Sequence, residues 1–478
     1  MRVLTRIWEW FDDRTGASQA VRPIAEHPVP PKSGWLYVFG SATLAAFIVQ
    51  VVTGIALATA YVPSSGEAYN SLQFITHDAP FGHLLRGIHY FGASAMVVLI
   101  GIHMIRTFLM GAYKFPREMS WLSGVVLLLV TLAMAFTGQL LRWDQTAIWS
   151  VVVAAEQAGR AWIVGNPLAH FILAGDVVGG ATLSRFFAFH VFFIPAVIFA
   201  FIGFHLYLVV RNGISERPQA GRPVDPTTYR AWYHQMLSRE GHPFWPDAAW
   251  RDVVFGVAVV TLLVLLAVVI GPPELGKPPD PTIIQAYPRP DWYFLWYFAA
   301  LALLPPGSES YVIVFGPLLF GLLLVLLPLI ANKGERSPRR RPWALGVVLL
   351  AVLMVGTLWV AGERAPWSPN FNAQPLAPQV VAASSGPVAE GAQLFHDKGC
   401  EYCHTIAGSG GQRGPDLTDV GDRLTAEQMT IRIAAGGRNM PAFGGSLSAD
   451  QLNALVAFLQ TRKQGPSFPV SSLAAPQP

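Results

Sequence analysis

The sequence is poor in cysteine. Its 478 residues contain two, Cys400 and Cys403, both near the C-terminal end. Zinc fingers and ribbons need a second Cys/His pair that the neighbourhood lacks, and no cysteine remains elsewhere to ligate an iron–sulfur centre. Charge is also scarce: Asp, Glu, Lys and Arg make up 13% of the chain against 52% hydrophobic residues. Those proportions exclude an ordinary soluble domain, and at a net charge of +4 no nucleic-acid partner is expected. The N-terminus, "MRVLTRIWEWFDDRTG", lacks an uninterrupted apolar core and a small-residue cleavage site, so it does not read as a secretory signal. Its Ile7, Trp8, Trp10 and Phe11 among Arg2, Arg6, Asp12 and Asp13 predict an amphipathic helix lying on a membrane.

The chain has long apolar runs instead. A spanning helix needs roughly 20 apolar residues, and seven runs qualify: 35–61, 87–110, 121–141, 186–210, 253–270, 311–331 and 343–361. An eighth, "FLWYFAALALL" at 294–304, is too short to cross. The connecting segments 1–34, 111–120, 211–252 and 332–342 carry 5, 2, 6 and 5 Lys/Arg, whereas 62–86, 142–185 and 271–310 carry 1, 3 and 2. This bias predicts a multi-pass protein of the cytoplasmic membrane with its N-terminus inside. After seven crossings the chain would emerge outside into a Pro/Ala/Ser-rich stretch, 362–388, with the composition of a linker. Extended at about 3.1 Å per residue, that stretch would reach roughly 80 Å. The residues beyond it then form a small domain outside the cytoplasm.

Within that domain Cys400, Cys403 and His404 form C-x-x-C-H, the spacing at which two thiols bond to one haem while the imidazole reaches its iron. A redox dithiol also uses C-x-x-C but has no need of the histidine. Met440, in "GGRNMPAFGG", offers a soft thioether for the second axial position. The segment resembles a class I cytochrome c carrying one covalent haem.

Ionisable residues inside spanning helices are costly and point to function. His89 and His103 share one predicted span, His190 and His205 another, at separations of 14 and 15 residues. Either separation is close to four helical turns, so each pair lies on one face, about 21 to 22 Å apart. Both spans run in the same direction, which sets His89 against His190 near one surface and His103 against His205 near the other. A lone membrane histidine is as readily a hydrogen-bonded bundle residue; four at matched spacing predict two bis-imidazole sites. Gly40 and Gly54, and likewise Gly124 and Gly138, repeat the 14-residue period. Glycine leaves room for a flat macrocycle, although small residues also serve close helix packing. Arg86, Arg106 and Arg185, near the histidines, are candidates to neutralise haem propionates or to anchor at the interface.

"RGIHYFGASAMVVLIGIHMIRTFLMGAYKFPREMSWLSG", "TGQLLRWDQTAIW" and "SRFFAFHVFFIPAVIFAFIGFHLYLVVRNGIS" resemble the cytochrome b subunit of cytochrome bc complexes, the quinol:cytochrome c reductases. In "YPRPDWYFLWYF", Pro290, Asp291, Trp292 and Tyr293 are similar to that family's quinol-site motif. The resemblance covers about residues 1–361. It implies an all-α membrane bundle of seven helices, a dihaem four-helix bundle (1–218) plus three helices (219–361), with the linker and then an all-α cytochrome c domain (389–478). It implies two non-covalent haems b beside the one haem c. Seven crossings and the 15-residue spacing resemble the photosynthetic branch, whose extra haem is bound to a cysteine where this chain has Val38, so that haem is not expected. Asp291 stands where most members have Glu, a variant associated with low-potential quinones such as menaquinone.

The resemblance further implies quinol oxidation beside His89 and His190, with Asp291 taking a proton. Asp291 could equally cap a helix starting at Trp292. One electron would pass to a Rieske iron–sulfur protein, necessarily a separate subunit. The other would cross inward through the two b haems to a quinone near Lys114, Arg117 and Arg211, which are candidates for proton uptake or for positive-inside anchors. A soluble cytochrome or terminal oxidase would accept the electron downstream, in a dimeric complex. Two rivals are a dihaem anchor serving another periplasmic reductase and a non-catalytic electron-storage subunit; neither needs a quinol-oxidation motif.

Overall fold

Backbone amides in hydrocarbon have no water to bond, so long apolar segments close their hydrogen bonds within helices. The computed structural model describes residues 2–279, 289–305, 308–365, 370, 373–436, 440 and 442–463. They form two compact units, Met1–Val360 and Ala361–Pro478.

In the first unit, α1 (Arg2–Thr15) and α2 (Ala17–Ala25) precede the first apolar span, α3 (Phe39–Ala58). Then come α4 (Ala68–His77), α5 (Gly82–Leu109), α6 (Glu118–Leu140), α7 (Gln145–Gly159), α8 (Gly165–Leu173) and α9 (Gly180–Asn212). After α10 (Tyr229–Glu240) follow α11 (Ala249–Val269), α12 (Trp292–Ala302), α13 (Glu309–Ile330) and α14 (Pro342–Arg364). Seven described helices are long and apolar enough to cross a membrane: α3, α5, α6, α9, the helix containing α11, α13 and α14. The helix α12, the run judged too short to cross, is not among them. On α1, Ile7, Trp8, Trp10 and Phe11 are all exposed, an apolar surface that no described residue covers.

The spans α3 and α5 pack together, as do α6 and α9, and α11 lies against both α3 and α5. Midway along this bundle Ala42, Ala46, Phe47, Met96, Leu99, Ile194 and Ile198 form a buried apolar layer. At the basic end the connections are fastened by cations turned inward. Lys114 donates to the carbonyls of Ala331 (2.8 Å) and Lys333 (2.6 Å). Arg117 donates to Gly213 O (2.9 Å) and the Tyr229 hydroxyl (2.8 Å). Arg336 pairs with Glu216, which also accepts from Tyr229 (2.6 Å). Burial, with Arg341 and Arg336 nearby, pulls Lys114 down to about 8. Of the three residues offered for proton uptake, Lys114 and Arg117 are therefore buried clamps that hold the α5–α6 turn against the segments following α9 and α13. Arg211 instead reaches the Tyr207 hydroxyl, 2.8 Å away, in exposed surroundings.

The second unit is built on α15 (Gly386–Asp397), α16 (Ala426–Ala435) and α17 (Ala449–Gln460). Reciprocal capping boxes, Thr425 with Gln428 and Ser448 with Gln451, start α16 and α17. Gly391 lets α15 cross α17 at close range, since a Cβ there would sit 2.1 Å from Ala454 O. Phe395, Ile406, Met429, Leu455 and Phe458 fill the core. Part of the expected linker belongs to this core as well. Leu376 is buried in it, Val380 and Val381 pack against it, and Arg462 donates to the carbonyls of Val380 and Val381. Asn370 N–H is also bonded to Tyr402 O at 2.7 Å. Proline-rich composition signals a lack of regular structure rather than a lack of packing. Leu376, Val380 and Val381 of the expected linker are therefore part of the domain rather than of a free tether; 366–369, 371 and 372 lie outside the described residues.

Candidate functional site

The four membrane histidines meet in two pairs. The rings of His89 (α5) and His190 (α9) have centroids 6.3 Å apart, and those of His103 (α5) and His205 (α9) 6.5 Å. A metal about 2.0 Å from each imidazole nitrogen, with about 1.1 Å from nitrogen to ring centre, requires roughly 6.2 Å between centroids. Among the described residues, no three or more His, Cys, Asp or Glu are gathered so that they could hold a metal ion. Each pair could therefore offer two imidazoles to one metal ion, with the metal's remaining ligands coming from elsewhere.

Each histidine faces one of the four glycines named from the sequence. A Cβ on Gly54 would lie 3.2 Å from Cε1 of His89, and one on Gly138 would lie 2.6 Å from that of His190. At the other level the distances are 3.1 Å from Gly40 to His103 and 3.7 Å from Gly124 to His205. The expectation was clearance for a macrocycle edge; in the structure the bare backbone faces the imidazole itself.

Hydrogen bonds also fix the proton on three of the rings. Thr53 Oγ1 donates to Val49 O (2.7 Å), so it accepts from Nδ1–H of His89 (2.9 Å). Ser123 Oγ donates to Ser120 O (3.0 Å) and accepts from His205 Nδ1 (2.8 Å). His190 Nδ1 donates to Met134 O (3.0 Å), with Thr137 Oγ1 at 3.2 Å. A proton held on Nδ1 leaves Nε2 with its lone pair free for a metal. Each hydroxyl stands one residue before its glycine. The equivalent residue before Gly40 is Phe39, so His103 lacks this partner.

The spacing of 15 in α9 against 14 in α5 has a local cause. Phe189–Phe193 form a π turn in which Ile194 N–H bonds Phe189 O, five residues back. Pro195, with no N–H to give, follows it. A π turn holds one extra residue, so His190 and His205 stay on one face in spite of the added position.

The three arginines diverge. Arg106 lies over the Tyr37 ring at 3.7 Å, and its Nε and Nη2, like the Tyr37 hydroxyl, are buried without a partner among the described residues. Unpaired buried donors are costly, and three of them near His103 suit a haem carboxylate. Arg86 is buried and donates to Thr76 Oγ1 (3.0 Å) and Pro273 O (2.8 Å). Arg185 donates to Phe171 O and lies over the Phe171 ring.

At the His89–His190 end, Asp291 precedes α12 in the N-cap position, but its side chain makes no capping bond. Its Oδ2 accepts instead from the Tyr293 hydroxyl at 2.7 Å. Trp292 Nε1 donates to Ser94 Oγ (3.2 Å), which ties α12 to the helix carrying His89. Pro290 leads into this turn.

In the second unit, burial pushes the Cys400 thiol up to about 12 and raises Cys403 as well. A redox dithiol needs a depressed thiol, so this environment argues against that reading of the C-x-x-C. His404 Nδ1 donates to Pro415 O (2.9 Å), which again frees Nε2. Burial lowers its pKa and so favours the neutral, ligating form. Met440 and Cys400 pack against the same core.

Residues 24–213 match the family described as Cytochrome b/b6/petB, and residues 279–379 match Cytochrome b(C-terminal)/b6/petD. Cytochrome b of Allochromatium vinosum is 31% identical over 369 residues, 73% of this chain and 87% of that protein. The chain belongs to the cytochrome b family. It is also 37% identical over 222 residues to the "Menaquinol:cytochrome c reductase cytochrome b subunit" of Bacillus subtilis, covering 45% of this cytochrome b and 99% of the relative. A solved "Hyperthermophilic respiratory Complex III" chain superposes with a TM-score of 0.62 at 27% identity, covering 82% of this chain and 96% of that one. Residues 386–459 match "Cytochrome C oxidase, cbb3-type, subunit III". This cytochrome b therefore carries a C-terminal cytochrome c domain.

Several residues of this cytochrome b escaped the sequence reading. Thr53, Ser123 and Thr137 had a signal, a hydroxyl immediately before each periodic glycine. Asp252, in the first turn of α11, accepts from Ser41 Oγ at 2.7 Å, beside Gly40; a carboxylate opening an apolar span could have marked it. Tyr37 had none, because only folding brings it to Arg106.

Proposed function

We propose that this cytochrome b is the quinol-oxidising subunit of a quinol:cytochrome c reductase, with two haems b held by His89/His190 and His103/His205 and one haem c held by Cys400, Cys403, His404 and Met440. The observation that carries this reading is the pair of opposed histidines at metal-bridging separation, repeated on the same two helices, with the Asp291–Tyr293 pair tied by Trp292 to one of them. The haems would supply one-electron carriers, which a quinol losing two electrons requires.

The chain's own residues do the rest. Nδ1 partners orient three imidazoles, and Arg106 with Tyr37 would hold a haem carboxylate. Asp291, with one oxygen already accepting from Tyr293, has lone pairs left to take a proton from a quinol hydroxyl. Oxidation of one quinol yields quinone, two electrons and two protons. One electron goes to a Rieske iron–sulfur protein in a separate subunit, and the other travels inward to a quinone at the basic, cytoplasmic end. Asp291 in place of glutamate, and the similarity to a menaquinol:cytochrome c reductase subunit, support a menaquinol as substrate. The cytochrome c domain takes the Rieske electron on the extracytoplasmic side and passes it to a soluble cytochrome or oxidase. The dimeric assembly of such complexes is part of the proposal.

The test is the purified native complex. Its haem content should be two extractable b to one covalent c, and a quinol should reduce both types. Asp291→Asn keeps the size of the side chain but removes the base, so quinol oxidation should slow by two orders of magnitude or more with the b-haem spectra unchanged. Full turnover in that variant would return Asp291 to a structural role.

A further inference from the structure

The two histidine levels differ in the partners of Nδ1. At the His89–His190 level both rings have an acceptor: Thr53 Oγ1 at 2.9 Å for His89, and Met134 O at 3.0 Å with Thr137 Oγ1 at 3.2 Å for His190. At the His103–His205 level only His205 has one among the described residues, Ser123 Oγ at 2.8 Å. The missing bond is not the result of a ring turned away. A Cβ on Gly40 would lie 3.4 Å from Nδ1 of His103, and one on Gly54 would lie 3.8 Å from Nδ1 of His89, so both rings present this nitrogen to α3. What differs is the preceding residue of α3. Thr53 stands before Gly54, whereas Phe39 stands before Gly40 and packs its ring against Phe255 of α11, edge to face with centroids 5.5 Å apart.

An imidazole that gives its Nδ1–H to an acceptor becomes a more basic ligand at Nε2. Stronger donation from the ligand stabilises the oxidised metal over the reduced one, which makes hydrogen bonds to an axial ligand a lever on reduction potential. Two such bonds at one level and one at the other pull the potential down further at the first.

We infer that the residue before each of these two glycines on α3 tunes the b haems apart: Thr53 lowers the potential at His89–His190, and Phe39, by offering His103 no acceptor, leaves the potential at His103–His205 higher. The inference rests on the proposed assignment of the four histidines as haem ligands and deepens it. Thr53 and Phe39 are positioning residues that act through His89 and His103 without touching a reactant. The resulting difference favours an electron at the basic end, the direction of transfer in the proposed function.

The experiment is an optical redox titration of the b haems in the purified whole complex, for the parent and for single variants. Thr53→Val removes the acceptor of His89 and should raise the lower-potential component, by on the order of tenfold in electron affinity, which is about 59 mV for a one-electron couple. Phe39→Thr supplies the hydroxyl that His103 lacks and should lower the higher-potential component. Ser123→Ala removes the acceptor of His205 and should raise that component further. Thr53→Ser keeps the hydroxyl and should titrate as the parent does. Unmoved potentials in Thr53→Val and Phe39→Thr overturn the inference, and so does an equal shift in Thr53→Ser and Thr53→Val, since the hydrogen bond would not be the cause. A Thr53→Val complex that loses a b haem while Thr53→Ser keeps it at the parent's potential overturns it too, because the bond would then hold the haem rather than tune it. Two b haems that titrate together in the parent have the same consequence. A parent without two b haems overturns the ligand assignment itself.

Discussion

Gly138 and Gly124 hold equivalent places on α6, yet an added methyl would have very different consequences. At Gly138 it would sit 2.6 Å from His190 Cε1, closer than Cβ atoms approach anything, whereas at Gly124 the 3.7 Å to His205 is ordinary contact. Gly138→Ala should therefore cost about 1–3 kcal/mol of overpacking and deplete the b haem at the His89–His190 level. Gly124→Ala should retain both. Optical b-haem content of the two purified variants checks the order. At the other site Met440→His should leave the domain folded with its haem attached but lower the reduction potential, since a thioether raises it relative to imidazole; a redox titration of the c haem reads this directly. The histidines and glycines were legible because their chemistry is unusual inside an apolar helix. Tyr37 was not, since a tyrosine near a helix end is ordinary until its neighbours are known.

At the scale of the element, the π turn at Phe189–Phe193 explains how two helices with different histidine spacing present matching pairs. It leads to a prediction opposite to the usual one for a deletion inside a membrane helix. Removing Phe192, which is 65% exposed, should convert the π turn to regular helix at a spacing of 14, so both b haems should be retained. Removing Val97 from α5 takes out a residue with no bulge to absorb the loss and turns His89 by about 100° relative to His103, so at least one b haem should be lost. Haem content of the two deletions checks the pair. The spans themselves were readable to within a few residues at most ends, because lipid forces apolar helices of a minimum length. The π turn was not, because 14 and 15 residues both lie close to four turns.

Across the whole molecule, the extent of the tether changes what the fused cytochrome c domain can do. Leu376, Val380 and Val381 pack on that domain's own core, so less of the expected linker is free than its full length suggests. Fusion to one chain raises the effective concentration of the domain for a donor on the complex, and a longer connection dilutes it. Inserting about 20 Gly/Ser residues after Arg364 should therefore slow quinol-driven reduction of the c haem several-fold, as flexible-linker scaling requires, while b-haem reduction at high potential of the acceptor pool is unchanged in extent. Stopped-flow spectra of both haem types check this. An unchanged c-haem rate would mean that tether length does not control electron delivery.

The seven spans, their polarity of charge, the C-x-x-C-H and the four histidines were determined by sequence alone, since each rests on a local rule: apolar length, Lys/Arg bias, ligand spacing or helical period. Folding decided what no local rule contains. It turned Lys114 and Arg117 inward as clamps, set Asp291 against Tyr293 instead of the α12 backbone, and packed Leu376, Val380 and Val381 of a proline-rich segment onto a core. These outcomes depend on which surfaces meet across distant parts of the chain, and a side chain's partners are chosen by burial and geometry rather than by its position in sequence.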